Sequence, residues 1–304
     1  MRWLNKNIKQ YYNKIENINY LKKVFQKEKP HIVFHLAAQA LVIESYNKPM
    51  ETFYTNTLGA INILESIRSI NKKVPIIFIT TDKVYANLVK RKLVEKDLLE
   101  GNDPYSTSKV CAEHITKSYT KLGIRAVTVR AGNIIGGGDW ATNRIIPDII
   151  KAIYQDKLPT IRNPLSIRPW LYVLDAIEGY LVLGIKLLND KSLKFDTYNL
   201  APNYKKNYNV ETITKKLLNE FNSFKYNIKR NYESNLEKKF LSISSKKIEN
   251  LNLWQPKTSI DEAIRMTAYW YKTNYKKNST EISVSYINNY FNLKKTSSKE
   301  RSYV

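Results

Sequence analysis

Two short runs in this 304-residue chain hold residue types that could do acid–base chemistry. Thr80-Thr81-Asp82-Lys83 follows directly on the apolar run Ile76-Ile77-Phe78-Ile79, and Tyr105-Ser106-Thr107-Ser108-Lys109 follows after a polar stretch. A tyrosine and a lysine four apart lie on one face of a helix. A free phenol has a pKa of roughly 10 and is a poor base at neutral pH. A neighbouring ammonium stabilises the phenolate and brings that value down. Thr81 could hydrogen-bond the same substrate oxygen from the strand end, and Asp82 could act as an acid. Lys83 is either a base or an orienting donor. As a base it needs desolvation or a nearby positive charge such as Lys109, because a free lysine has a pKa of about 10.4. In a chain with 22 tyrosines, a Tyr-x-x-x-Lys pair alone could equally be a solvated helix pair.

The elements that must position these residues alternate between strand and helix. Ile76–Ile79 reads as a buried strand. Asp103 can cap a helix over 103–122, with Pro104 where a helix start tolerates proline. Residues 84–102 form a polar loop too long for a tight connection. Upstream, helical spacing at Leu21, Val24 and Phe25 stops at Pro30, and Ile32 to Gln39 reads as a strand ending in the small residues Ala37-Ala38. His35 in that strand is either a buried histidine or part of a cofactor shell. Residues 43–71 carry one helical pattern interrupted near Pro49, with Asn56 inside it. A strand over Arg125 to Arg130 leads into Ala131-Gly132-Asn133-Ile134-Ile135-Gly136-Gly137-Gly138-Asp139-Trp140, whose glycines allow a backbone to approach a ligand. Helices over 172–189, 210–221, 244–251 and 260–275 and a short strand at 195–200 complete an α/β pattern.

Composition narrows the class. The chain is 43% hydrophobic, with one cysteine, Cys111, which excludes an internal disulfide framework. No apolar run reaches the ~18 residues of a membrane helix, and the polar N-terminus lacks the pattern of a secretory signal. These features fit a cytoplasmic protein with no membrane partner. The net charge of +23 comes from lysines scattered in pairs such as Lys72-Lys73, Lys215-Lys216 and Lys246-Lys247. That distribution argues for compositional bias and against a nucleic-acid surface.

The order strand, Thr-Asp-Lys, gap, Tyr-x-x-x-Lys resembles the extended short-chain dehydrogenase/reductase superfamily, in the branch that works on nucleotide sugars. His35 to Leu64 resembles its 4,6-dehydratases, especially Gln39 to Tyr46 and Glu51 to Gly59. The string from Ala131 to Trp140, with Ile161-Arg162-Asn163-Pro164 and Ile167-Arg168-Pro169-Trp170, resembles the group acting on CDP-glucose. The resemblance covers roughly residues 15–275. It implies NAD as cofactor, CDP-glucose as substrate and no metal. It assigns Tyr105, Lys109, Thr81, Asp82 and Lys83 to catalysis, and His35, Ala37, Ala38, Asn56, Tyr105, Lys109 and Arg130 to the cofactor. It assigns Asn133, Arg144, Arg162 and Arg168 to the substrate; guanidinium suits a diphosphate because it binds phosphate oxygens bidentately. It also implies a cytoplasmic homodimer through the helices at 49–71 and 103–122, and a place in lipopolysaccharide O-antigen synthesis.

One part of the family pattern is absent. No glycine precedes Gly59, so the Gly-x-x-Gly-x-x-Gly turn that presents backbone N–H groups to a pyrophosphate is not in the sequence. The expected fold is therefore a Rossmann-like, doubly wound parallel sheet lacking its first βαβ unit or units. Its expected divisions are a partial NAD-binding domain over 1–160, a smaller α/β substrate domain over 161–277 and a polar tail over 278–304. A truncated chain of this kind should expose an apolar edge strand at Ile32 to Leu36, self-associate and fail to retain NAD. A different nucleotide-sugar dehydratase, epimerase or reductase would share Tyr105 and Lys109, and a non-catalytic remnant would lack the fingerprint.

Overall fold

The apolar strand runs pair as the periodicity requires. In the computed structural model, which describes residues 8–70, 74–86, 90–204, 206–229, 239–274 and 280–292, four strands form one parallel sheet. They are β1 (Val33–His35), β2 (Ile76–Ile79), β3 (Ala126–Ala131) and β4 (Phe195–Leu200), and they lie side by side in that order. The registers Phe34↔Ile77, Phe78↔Thr128 and Thr128↔Thr197 align the carboxyl ends of the strands. Ligands of open α/β sheets bind beyond such ends.

Side chains alternate across the sheet, so each face has its own core. Ile76, Phe78 and Ala126 pack with Phe25 of α1 (Ile18–Glu28), Ile63, Leu64 and Ile67 of α2 (Gly59–Ile70) and Ala112 of α3 (Pro104–Thr120). Ile77, Val127 and Val129 pack on the opposite face with Ala176, Tyr180, Leu183 and Leu187 of α5 (Val173–Asn189). This is the doubly wound arrangement expected. The helical run upstream of α2 is broken into Val42–Asn47 and Pro49–Phe53, followed by a π turn over Tyr54–Leu58 that carries Asn56.

Beyond the strand ends lies a second core. It joins α4 (Ile145–Tyr154), α6 (Val210–Glu220) and α7 (Ile260–Asn274) around Ile135, Trp170 and Tyr172. The two lobes do not divide at 160/161. Helix α4, expected in the first domain, belongs to the second core, while α5 and β4, expected in the substrate domain, complete the sheet. The reason is topological: a parallel strand is reached only through a crossover, so the chain leaves the sheet after β3 and returns for β4. The polar tail is also corrected in part. Thr280–Asn292 forms helix α8, which seats Ile282, Tyr286, Tyr290 and Phe291 against the second core. The rest of that segment, 278–279 and 293–304, lies outside the described residues.

Among the described residues, β1 has β2 on one side and no strand on the other. Beside it, α5 turns Ile177, Leu181, Ile185 and Leu188 outward, Ile185 being 59% exposed. No helix among the described residues is long and apolar enough to cross a membrane.

Candidate active site

The end of β2 turns at once into a single 3-10 turn over Asp82–Val84. Thr81 caps it: its Oγ1 accepts from Lys83 N at 3.3 Å and donates to Asp82 Oδ1 at 3.1 Å. Opposite, Asp103 opens α3 with a capping box, accepting from Ser106 N at 2.9 Å and from Ser106 Oγ at 2.7 Å. This cap sets Tyr105 in the first helical turn and Lys109 one turn later.

Both side chains are buried, and burial dominates their acid–base behaviour. The Tyr105 phenol is pushed up to about 12 by desolvation, against its hydrogen bond with Thr81, which lowers it. Lys109 is pushed down to about 8 by desolvation, with Glu113 working the other way. Its Nζ donates to Ile79 O at 3.3 Å. The expectation that Lys109 lowers Tyr105 is therefore not met by the protein groups alone. The lysine spends a donor on the strand, and the phenol stays protonated at neutral pH.

Behind this pair lie residues that hold the scaffold. Asn56 Oδ1 accepts from Gln39 N at 2.9 Å, while its Nδ2 donates to Gln39 O at 3.0 Å and to Ser108 Oγ at 2.9 Å. Its polar atoms are thus committed to main chain and helix. His35 packs on Phe78, with ring centroids 4.3 Å apart. Burial, then Lys109, pushes it down to about 3, so it is a neutral imidazole. Arg130 is buried and donates from Nε and Nη2 to Glu113, with a closest distance of 2.5 Å.

In front lies a cavity of about 380 Å3. Thr81, Asp82, Lys83 and Tyr105 line it together with Asn133, Arg144, Arg162 and Arg168. The structure thus gathers the expected substrate residues and most of the expected catalytic ones around one space. It does not bring His35, Ala37, Ala38, Asn56, Lys109 or Arg130 to that lining. Gly136 lines the cavity, and the next glycine lets α7 pack behind it: a Cβ on Gly137 would lie 2.1 Å from Trp270 Cγ. Tyr271 Oη donates to Asp139 O at 2.6 Å, and Arg144 Nη1 donates to Asp139 Oδ2 at 3.2 Å.

Sequence reasoning missed Tyr180, Asp148 and Asn163, which also line the cavity, and Glu113. Tyr180 and Asp148 carry no motif signal. Glu113 continues the four-residue spacing of Tyr105 and Lys109 and was legible from that.

A doubly wound parallel sheet with this strand end and helix, facing a cavity that carries arginines, defines an extended short-chain dehydrogenase/reductase. Within that class, the chain belongs to the GDP-mannose 4,6 dehydratase family, whose model matches residues 2–267. It is 32% identical over 283 residues to a CDP-glucose 4,6-dehydratase of Salmonella typhimurium, covering 88% of this chain and 78% of that one. It is 27% identical over 300 residues to a dTDP-glucose 4,6-dehydratase of Haemophilus influenzae, covering 90% and 86%. Among solved structures it is similar to a UDP-glucose 4-epimerase of Thermotoga maritima, with a TM-score of 0.79, 20% identity and coverage of 91% and 88%. It is also similar to a dTDP-glucose 4,6-dehydratase of Streptomyces venezuelae solved with NAD and TYD bound, with a TM-score of 0.76, 18% identity and coverage of 86% and 79%. At those identities the two structures report on the fold.

Proposed function

We propose that the protein is an NAD-dependent dehydratase that converts CDP-glucose to CDP-4-keto-6-deoxyglucose. The observation that carries this reading is that Thr81, Asp82, Lys83 and Tyr105 share one cavity with Arg144, Arg162 and Arg168. The volume, about 380 Å3, lies in the usual range for small-molecule sites. The arginines suit the diphosphate.

The cofactor fits this chain at one end. Lys109 has three N–H donors and spends one on Ile79 O, which leaves donors for ribose hydroxyls beside Tyr105. NAD bound there supplies a hydride acceptor and afterwards a hydride donor, with no net redox change. The donor set for its pyrophosphate is not among the described residues, and no glycine precedes Gly59.

The chain's own residues divide the proton transfers. Tyr105, hydrogen-bonded to Thr81, takes the proton of the sugar 4-hydroxyl as its phenolate, the form that a neighbouring ammonium such as Lys109 favours against burial. The resulting 4-ketone acidifies the C5 hydrogen. Asp82, almost fully buried at the turn, protonates the departing 6-hydroxyl so that it leaves as water. Lys83, which lines the same cavity, removes the C5 proton or orients the sugar. We assign the homodimer contact to the helices at 49–71 and 103–122, where Met50 and Tyr54 project to solvent one turn apart.

Incubation with CDP-glucose and NAD tests the reading. Dehydration yields a 4-keto-6-deoxy sugar lighter by one water. A C4 epimer of unchanged mass would assign an epimerase, and unchanged substrate would leave the chain without this activity.

A further inference from the structure

Glu113 follows Lys109 by one turn on α3, and the two side chains grip consecutive residues at the end of β2. Lys109 Nζ donates to Ile79 O at 3.3 Å, and Glu113 Oε1 accepts from Thr80 Oγ1 at 2.6 Å. The next residue, Thr81, holds the phenol of Tyr105. Glu113 also accepts from Arg130 Nε at 2.9 Å and Nη2 at 2.5 Å, both side chains being about 95% buried. Arg130 is fixed in turn by Glu95 O at 3.2 Å and lies over the Tyr85 ring, 4.7 Å from its centroid.

A buried ion pair is a poor stabiliser, because desolvation offsets its attraction. Its placement therefore invites a functional reading. The titratable groups that act with Lys109 are Glu113, on its own helix and bonded to Arg130 of β3, and His35 on β1. His35 is neutral, so it adds no charge beside Lys109. Glu113 is the group that raises Lys109 against the desolvation that lowers it.

We propose that Glu113 is a positioning residue for the active site: with Arg130 it fixes the Ile79–Thr81 strand end against α3, and its charge keeps Lys109 an ammonium. Its catalytic meaning rests on the dehydratase reading above; its effect on Lys109 does not. With the ammonium in place, a phenolate forming on Tyr105 has a cation on its own helix face.

The test uses Glu113→Gln combined with Arg130→Met, because removing the carboxylate alone would strand a buried guanidinium. Lys109 is read by carbon NMR of protein labelled at the lysine ε-carbon, its signal assigned by its loss in Lys109→Arg. The wild-type signal should titrate near 8. Relative to Arg130→Met alone, the midpoint in the double variant should fall by about one unit, the usual effect of losing a close opposite charge. Glu113→Asp, which keeps the charge, should titrate close to the wild type. Equal midpoints in Arg130→Met and the double variant overturn the proposal, as does a variant too unstable to titrate when Glu113→Asp also titrates away from the wild type. The high-pH limb of kcat/KM for CDP-glucose should move down with the midpoint. A shifted midpoint with no dehydration by either protein would remove the dehydratase reading and leave Glu113's role standing.

Discussion

Asn56 Nδ2 donates to Ser108 Oγ at 2.9 Å, and that bond joins the π turn over Tyr54–Leu58 to the helix that carries the acid–base pair. The same side chain exchanges both amide hydrogen bonds with the backbone of Gln39. It sits in the single π turn of the chain's described residues, a feature that tends to mark functional segments. Asn56 thus braces the segment after β1 against α3.

Tyr105→Phe removes the phenolic oxygen and little else. Turnover of CDP-glucose should be abolished, while calorimetry should show nucleotide-sugar binding largely unchanged. Near-native steady-state rates would take Tyr105 out of the chemistry.

Arg168 lines the cavity from the short strand Ile167–Arg168. If it meets the diphosphate, Arg168→Ala should weaken CDP-glucose binding by about 1.5–3 kcal/mol, the worth of a charge-assisted bond. A dissociation constant equal to that of the wild type would assign the arginine to the scaffold alone.

Gly137→Ala would drive a methyl to 2.1 Å from Trp270 Cγ. Overpacking of this kind costs roughly 1–3 kcal/mol. Chemical denaturation should show that loss; an unchanged midpoint would mean that α7 gives way to the methyl without cost.

His35 gives the protein an acid-sensitive point. Its folded value is about 3, against the ordinary 6.5. Between those values the unfolded chain binds the extra proton, so stability is full above about pH 6.5 and declines as pH falls toward 3. A shift of this size corresponds to a few kcal/mol at about 1.4 kcal/mol per unit. His35→Gln should flatten the decline of the denaturation midpoint between pH 6.5 and 4.5; an unchanged slope would place the acid sensitivity elsewhere.

Among the described residues, no strand pairs with the outer edge of β1, which lies beside the outward apolar stripe Ile177, Leu181, Ile185 and Leu188 of α5. Such an edge pairs readily with another chain. The 304-residue chain should therefore run above its monomer mass on size-exclusion chromatography and carry less than stoichiometric NAD. Leu181→Lys with Ile185→Lys should raise the monomer share. A wild-type monomer with full NAD would contradict both statements.

Much of the site was legible because its signals are local. The apolar run before Thr81, the cap at Asp103 and the four-residue step from Tyr105 to Lys109 each depend on a few neighbouring residues, and helix geometry alone puts the last pair on one face. The arginines at 144, 162 and 168 were likewise found, since they belong to short motifs that the fold turns toward one cavity. Three things depended on contacts between distant segments. Arg130 and Asn56 bond to Glu113, Gln39 and Ser108, and no periodicity announces which partner a buried polar group will find. The effect of Lys109 on Tyr105 depended on burial, which raises the phenol and lowers the amine together, where spacing suggests only mutual stabilisation. The lobe boundary depended on the crossover that carries the chain out after β3 and back to β4, and Thr280–Asn292 became a helix because the second core gives its apolar side chains a surface to cover.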